Sequence, residues 1–305
     1  MLSPDPNKTI TTIDLIFMGL TGAIAVYLIP YRGGAILVEC GPGSTFPRLE
    51  EALKEEGYGL KDITDVFLTH IHLDHAGAAG HLAQSGSRIH VHPVGAPHLL
   101  NPEKLLISAG RIYGEMMGPL WGEFLPVPSE RLMVVEDGEV VEIEEIQIRA
   151  VNTPGHANHH YAYFFKDICF SGDIAGVRMS GVHHVRLPMP PPEFNLESWR
   201  QSLIKLKSES INYIAPTHFG LFSDPQWHLT EVEASLDEID QWIQTTPFGQ
   251  LSPDEINQQF LLWTRQRSMH AGVAPEIVDI YEAANPSWMS SQGILRYWQK
   301  FRQLT

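Results

Sequence analysis

The sequence predicts an α+β fold in which two β-sheets pack face to face, with helices on the outside. Three observations carry that expectation. Short runs rich in Ile, Leu, Val and Thr fall into two blocks, one ending at His92 and one opening at Arg131. Helical patterns punctuate both blocks, and each kind of element has an apolar face that layering buries best. An irregular, proline-marked stretch from Val94 to Glu130 divides the blocks, and a helical stretch closes the chain. With 43% hydrophobic and 19% charged residues, the 305-residue chain can form a sizeable core. No linker separates its parts, so a single domain over 1–305 is expected, with a helical extension from about 228 to 305.

The elements are read in order. Ile10 to Met18, Ala23 to Ile29 and Ala35 to Cys40 are strands separated by glycines. Gly41-Pro42-Gly43-Ser44 is a turn, with Ser44 the N-cap of a helix through Leu49, Leu53 and Glu56. Ile63 to Thr69 is a buried strand, Leu73 to Gln84 a helix, and Arg88 to His92 a strand. Arg131 to Val135 opens the second block, followed by strands at Glu139 to Ile143, Ile146 to Asn152, Tyr161 to Phe165 and Ile168 to Ser171. Asn195 caps a helix carrying Trp199, Leu203 and Leu206, and Ile211 to Ala215 is the last strand. In the tail, Ser252-Pro253-Asp254-Glu255 has the form of a capping box.

Charge and cysteine content narrow the function classes. Thirty-six acidic against 21 basic residues give a net charge of −15, which repels phosphate backbones and anionic membrane surfaces. Nucleic acid and membrane are therefore not expected partners. Cys40 and Cys169 lie in apolar strands and read as buried, inert thiols. Met1 to Pro6 lacks the basic and apolar regions of a secretory leader, and no run reaches the roughly 18 apolar residues of a membrane span, so a cytoplasmic location is expected.

Fifteen histidines, many clustered, are the unusual feature. Thr69-His70-Ile71-His72-Leu73-Asp74-His75 places three imidazoles and a carboxylate where an apolar strand passes into a helix. At a strand end His70 and His72 share a side, and the following turn brings Asp74 and His75 from another direction. Imidazole and carboxylate suit Zn²⁺ first, with iron and manganese as competitors. The competing reading, an accidental surface cluster, fits poorly with a strand-to-helix junction. Further ligand candidates stand at other strand ends: His156 in Thr153-Pro154-Gly155-His156, Asp173 after Phe170-Ser171-Gly172, and His218 after Pro216-Thr217.

This ordered set, His-x-His-x-Asp-His, then Thr-Pro-Gly-His, Ser-Gly-Asp and Thr-His, resembles the metallo-β-lactamase superfamily from about Ile13 to Gly220. The resemblance implies a four-layer αββα sandwich with the site at one edge. It implies two divalent metal ions, the first at His70, His72 and His156, the second at Asp74, His75 and His218, with Asp173 bridging. Two such ions lower the pKa of a shared water and polarise a substrate oxygen. Asp74 is then expected to act catalytically, orienting the nucleophile and taking part in proton transfer. One departure is Glu39, where the family often has Asp; a structural or hydrogen-bonding role is expected for it.

Other histidines divide between roles. His159 and His160 are read either as partners that fix a ligand tautomer or as exposed strand-start residues. His90, His92 and His98 are read as structural or surface residues. His183 and His184 are candidates for the pocket lining, and His81, His228 and His270 for surface or packing. Substrate selection is assigned to segments 94–130 and 176–194, whose Tyr113, Met116, Met117, Trp121, Phe124 and Phe194 suit a small, partly apolar molecule. The same residues also suit packing on the sandwich or a homodimer contact.

The expected activity is hydrolysis of a small ester, lactone, thioester or related substrate. The acidic surface argues against a nuclease, and the missing leader against a secreted resistance enzyme. Acyl-homoserine-lactone hydrolases of the superfamily often carry a tyrosine three residues after the bridging Asp, where this chain has Gly176. The basic cluster that would suit the carboxylates of a glyoxalase II substrate is missing from the C-terminal region. The alternative is a mononuclear iron enzyme like the persulfide dioxygenases, using His70, His156 and Asp173. A noncatalytic metal-binding module is the third reading, and the intact ligand set disfavours it. A flavodiiron enzyme would need a flavin domain that the last 75 or so residues are too few to form.

Overall fold

In the computed structural model, which describes residues 10–303, the chain opens with an antiparallel meander. Its strands are β1 (Thr11–Asp14), β2 (Ala25–Tyr31) and β3 (Gly34–Val38). β4 (Ile63–Phe67), β5 (Arg88–Val91) and β6 (Leu132–Val134) extend it in parallel, giving a six-stranded sheet in sequence order. The second sheet has five strands: β7 (Val140–Ile143), β8 (Ile146–Asn152), β9 (Tyr161–Phe165), β10 (Ile168–Phe170) and β11 (Tyr213–Ala215). All its neighbours are antiparallel except β10 and β11. The reading of Met1 to Pro6 lies outside the described residues.

Alternation along each strand assigns its two faces. Ile36 and Val38 of β3 meet Tyr161, Tyr163 and Phe165 of β9 between the sheets, together with Phe67 and Phe170. Leu37 points the other way, with Val66 and Leu68, onto Leu49 and Leu53 of α1 (Phe46–Glu55). On the far side Ala162, Phe164 and Ile214 are covered by Trp199 and Leu203 of α7 (Leu196–Lys207) and by Leu236 and Ile239 of α8 (Pro225–Thr245). Because both faces are buried, these strands read as continuous apolar runs. The result is the expected αββα arrangement. α9 (Pro253–His270), α10 (Pro275–Ala284) and α11 (Ser287–Phe301) complete the helical C-terminal region. Its Phe260, Ile294 and Tyr297 join the core of the second sheet. No helix among the described residues is long and apolar enough to cross a membrane.

Four local expectations are corrected. Arg131 to Val135 does not open the second sheet: β6 pairs with β5 and closes the first (Val91 opposite Val134). The strand from Ile10 stops at Asp14, because the Asp14 carboxylate accepts from the backbone N–H of Ile16 (3.0 Å) and Gly22 (2.8 Å). That clamp folds 15–22 into a loop, with Ile16 and Met18 in the left-handed region at φ 51° and 55°. The helix from Leu73 to Gln84 is two helices, α2 (Leu73–Ala76) and α3 (Ala79–Ser85). They break at Ala78 (φ −89°, ψ 2°), whose N–H leaves the helical ladder and donates to Gly41 O (2.9 Å). Ser44 is not the cap of α1; a 3₁₀ turn over Gly43–Thr45 precedes that helix, and Ser44 Oγ donates to Leu120 O (2.6 Å). The caps expected at Asn195 and Ser252 are both present: Ser198 N–H donates to Asn195 Oδ1 at 2.8 Å, and Ser252 and Glu255 form a reciprocal box.

Candidate metal centre

The strand ends that carry ligand candidates all open at one end of the sandwich. His70 and His72 follow β4, and Asp74 and His75 begin α2. His156 follows β8, Asp173 follows β10, and His218 follows β11. The fold thus brings together all seven side chains singled out in the sequence. His70, His72 and His156 form one cluster of potential ligands, and Asp74, His75 and His218 form another.

Hydrogen bonds on the outer nitrogens set the tautomers. His156 Nδ1–H donates to Pro188 O (2.8 Å), and His218 Nδ1–H donates to Ala23 O (2.7 Å). Thr69 donates its hydroxyl proton to Glu39 through a short contact, so its oxygen receives His70 Nδ1–H at 3.1 Å. His70 and His156 therefore turn unprotonated Nε2 atoms toward each other at 3.2 Å, each 2.9 Å from His72 Nδ1. Ligand atoms about 2.0–2.1 Å from a tetrahedral ion lie roughly 3.3 Å apart, so this triangle is of the right size for one. Lone pairs facing one another at that distance repel unless a cation lies between them.

Asp173 stands between the clusters. One oxygen is 3.3 Å from His156 Nε2; the other is 3.4 Å from His75 Nε2 and 3.6 Å from His218 Nε2. Asp74 Oδ2 lies 3.5 Å from His218 Nε2. His75 Nε2 and Asp173 Oδ1 are buried without a hydrogen-bond partner, as atoms reserved for a cation would be. The donor set therefore fits divalent ions on chemistry as well as spacing.

The electrostatics separate the two clusters. Burial, reinforced by neighbouring imidazoles, holds His70 and His72 well below the ordinary histidine range; burial also lowers His156. Burial acts the same way on His75 and His218, yet Asp173 and Asp74 outweigh it and raise both. Burial pushes the Asp74 carboxyl up, but His75 and His218 more than offset this and hold it at about 2. Asp74 is also the most exposed carboxylate of the set, with 21% of its side chain accessible.

Glu39, the departure noted above, is a buried hub. It accepts from Thr69, His75 Nδ1 (3.1 Å) and Thr217 (3.2 Å), linking three of the ligand-bearing segments. The histidines of uncertain role are resolved as follows. His160 is buried; its Nε2 accepts from Asp173 N–H (3.1 Å), so its Nδ1–H donates to Thr153 Oγ1 (2.9 Å). His159 is buried beside His72, with Nδ1 accepting from Ile71 N–H and Nε2 3.4 Å from Glu193. Neither is an exposed strand start. His183 stacks on Trp227 and His184 packs on Tyr281, both away from the pocket.

The cluster opens into a cavity of about 650 Å³. Segment 94–130 contributes α4 (Ala96–Leu100) through His98, α5 (Glu103–Tyr113) and α6 (Met117–Trp121), and residues 188–193 contribute a proline-rich wall. Tyr113 and Trp121 line it as expected. Met116 is exposed, Met117 and Phe124 pack in the core beneath, and Phe194 packs on Trp199 and Tyr297. Sequence reasoning missed Glu193 and two further walls: Phe17, Met18 and Leu20 from the β1–β2 loop, and Trp288, Met289 and Ser290 from α11. The pair Trp288-Met289, just after Pro286, was the available signal for the latter.

A family model described as the metallo-beta-lactamase superfamily matches residues 20–218. A metallo-beta-lactamase fold-containing protein of Sulfurisphaera tokodaii is 30% identical over 171 residues, 54% of this chain and 63% of that protein. An atrochrysone carboxyl ACP thioesterase of Aspergillus fumigatus is 30% identical over 204 residues, covering 66% and 52%. A hydroxyacylglutathione hydrolase of Rhodopseudomonas palustris is 29% identical over 116 residues, covering 38% and 33%. This chain thus spans less than two thirds of the length of each of these relatives. Among solved structures, an archaeal superfamily protein from Sulfolobus tokodaii aligns with TM-score 0.64 and 20% identity, over 96% of this chain and 98% of that one. A metallo-beta-lactamase family protein from Thermus thermophilus aligns with TM-score 0.64 and 19% identity, covering 96% and 94%. At such identities the likeness concerns the fold.

Proposed function

Because the chain belongs to the metallo-β-lactamase superfamily, we propose that it is a dinuclear metal-dependent hydrolase acting on a small ester or thioester. The observation that carries this reading is Asp173, which offers one oxygen to each cluster, beside a largely apolar cavity. The thioesterase and hydroxyacylglutathione hydrolase among its relatives support hydrolytic chemistry. His70, His72 and His156 would hold one ion, Asp74, His75 and His218 the other, and Asp173 would span them. When bound, such a pair lowers the pKa of a water and polarises the electrophilic carbonyl. Zinc is the ion these donors suit first.

The chain's own groups do the rest. Asp74, ionised at neutral pH and open to the cavity, accepts a hydrogen bond from the attacking water and orients it. His159, backed by Glu193, lines the cavity beside His72. The proline-rich 188–192 segment and α11 supply walls of the cavity in which the reacting carbonyl would sit.

The test is metal content per chain without added metal, followed by an ester, thioester and lactone panel. About two equivalents of a redox-inert ion with turnover on the panel supports the proposal. One equivalent of iron, with oxygen consumption and no hydrolysis, would replace it with the dioxygenase reading.

A further inference from the structure

The cavity wall facing the ligand cluster contains a row of aromatic rings. Phe17 stacks on Trp121 at a centroid distance of 5.8 Å and an interplanar angle of 17°. Trp121 meets Tyr113 edge-on at 5.0 Å, and Tyr113 meets Trp288 edge-on at 6.1 Å. Three separate parts of the chain, the β1–β2 loop, α5–α6 and α11, thus supply one continuous ladder, and all four rings line the cavity.

Two polar atoms of this ladder lack proper partners. Tyr113 hydroxyl donates only to the sulfur of Met289, at 3.5 Å, a weak acceptor. Trp121 Nε1 is buried with no partner. Trp121 Nε1 is shut away from the cavity, which leaves the Tyr113 hydroxyl, paired only with a thioether, as the ladder's donor short of an oxygen acceptor. Burial, with Asp74 nearby, pushes the Tyr113 phenol well up, so it remains a donor at any working pH.

We propose that this ladder is a subsite for a flat aromatic group of the substrate that carries an acceptor oxygen, with the Tyr113 hydroxyl donating to that oxygen. The inference rests on the hydrolase reading and narrows its substrate class to aromatic acyl esters or thioesters. Ring edges and faces reward a flat π-system beyond the area it buries, whereas an alkyl chain gains only the area. The cavity, about 650 Å³, has room for fused rings while leaving the carbonyl at the ligand cluster.

The experiment is equilibrium binding of three product-like carboxylates to the full chain supplied with zinc, read by calorimetry. The probes are decanoate, 2-naphthoate and 6-methoxy-2-naphthoate. The naphthoate should bind about fivefold more tightly than decanoate, and the methoxy oxygen should add about another fivefold. Tyr113→Phe should erase the methoxy gain alone, with zinc content and decanoate affinity unchanged. Phe17→Leu, at the far end of the ladder from Tyr113, should shrink the naphthoate preference without touching the methoxy gain. Decanoate binding as well as the naphthoates, no binding of any probe, or a methoxy gain that survives in Tyr113→Phe would each overturn the proposal. A chain that binds the naphthoates in this order but hydrolyses none of their thioesters refutes the hydrolase reading and leaves the subsite. A chain that hydrolyses decanoyl and naphthoyl thioesters equally refutes the subsite and leaves the hydrolase.

Discussion

Oε1 of Glu39 lies 3.1 Å from Nδ1 of His75, and both side chains are shut away from solvent. The same carboxylate receives the Thr69 and Thr217 hydroxyls, so it orients ligands of both clusters from behind. All three donors converge on the single oxygen Oε1, so Glu39→Met keeps the approximate volume and removes that acceptor. Removing such a partner costs roughly 10–100-fold in metal affinity. Competition with a chromogenic chelator should show that loss. Unchanged affinity would mean that the ligands are held without the hub.

Asp74→Ala removes the exposed carboxylate of the set. The second metal equivalent should be lost and kcat should fall on the order of 10²-fold or more, while the first equivalent stays bound. Near wild-type turnover with one ion bound would argue against the dinuclear mechanism.

Gly172, immediately before Asp173, has φ +50°, and a Cβ there would stand 2.5 Å from Thr69 Oγ1 and 2.7 Å from His160 Nε2. Gly172→Ala combines backbone strain with that clash and should cost about 1–3 kcal/mol. Since Thr69 and His160 position His70 and Asp173, the variant should also lose metal. Chemical denaturation with and without zinc would show both effects; a variant as stable as the parent would contradict the close packing described.

Two histidines remote from the metal cluster set an acid limit on stability. His184 is held at about 3 and His228 at about 4, in each case mainly by burial. Both folded-state values lie below the ordinary 6.5, so the native chain resists protons that the unfolded chain accepts. Their contribution is complete above about pH 6.5 and is lost as pH falls toward 4. Each contributes a slope approaching 1.4 kcal/mol per pH unit within that window. His228→Gln should flatten the fall between pH 6 and 4.5 in urea unfolding. An unchanged slope would show that His228 does not resist protonation.

The ligand set was legible because its signals are local. A strand end, a turn and a helix start place His70, His72, Asp74 and His75 within six positions, and single ligands mark later strand ends. What the sequence hid depends on contacts between distant segments. β6 is a three-residue edge strand whose sheet is decided only by its pairing with β5. The break at Ala78 follows from the bond of its N–H to Gly41 O in the turn after β3, which helical periodicity does not register. Two walls of the cavity eluded prediction for the same reason: Phe17 and Trp288 lie 271 positions apart yet line one cavity. His160 looked like an exposed strand start because its partner, Asp173 N–H, belongs to another loop.

His70, His72, Asp74 and His75 extend from the first sheet, whereas His156, Asp173 and His218 extend from the second. Ions held among them would rivet the two layers at one end, while the opposite end is held by side-chain packing and by a hydrogen bond between turns, from Arg32 N–H to Glu145 Oε1 (3.2 Å). Each layer's freedom to slide or splay is thereby tied to occupancy, and a chain stripped of metal should breathe first at the very end where catalysis takes place. Chemistry and mechanical cohesion would then share one set of bonds, and mutations that loosen the sheets far from the site would register as weaker metal retention.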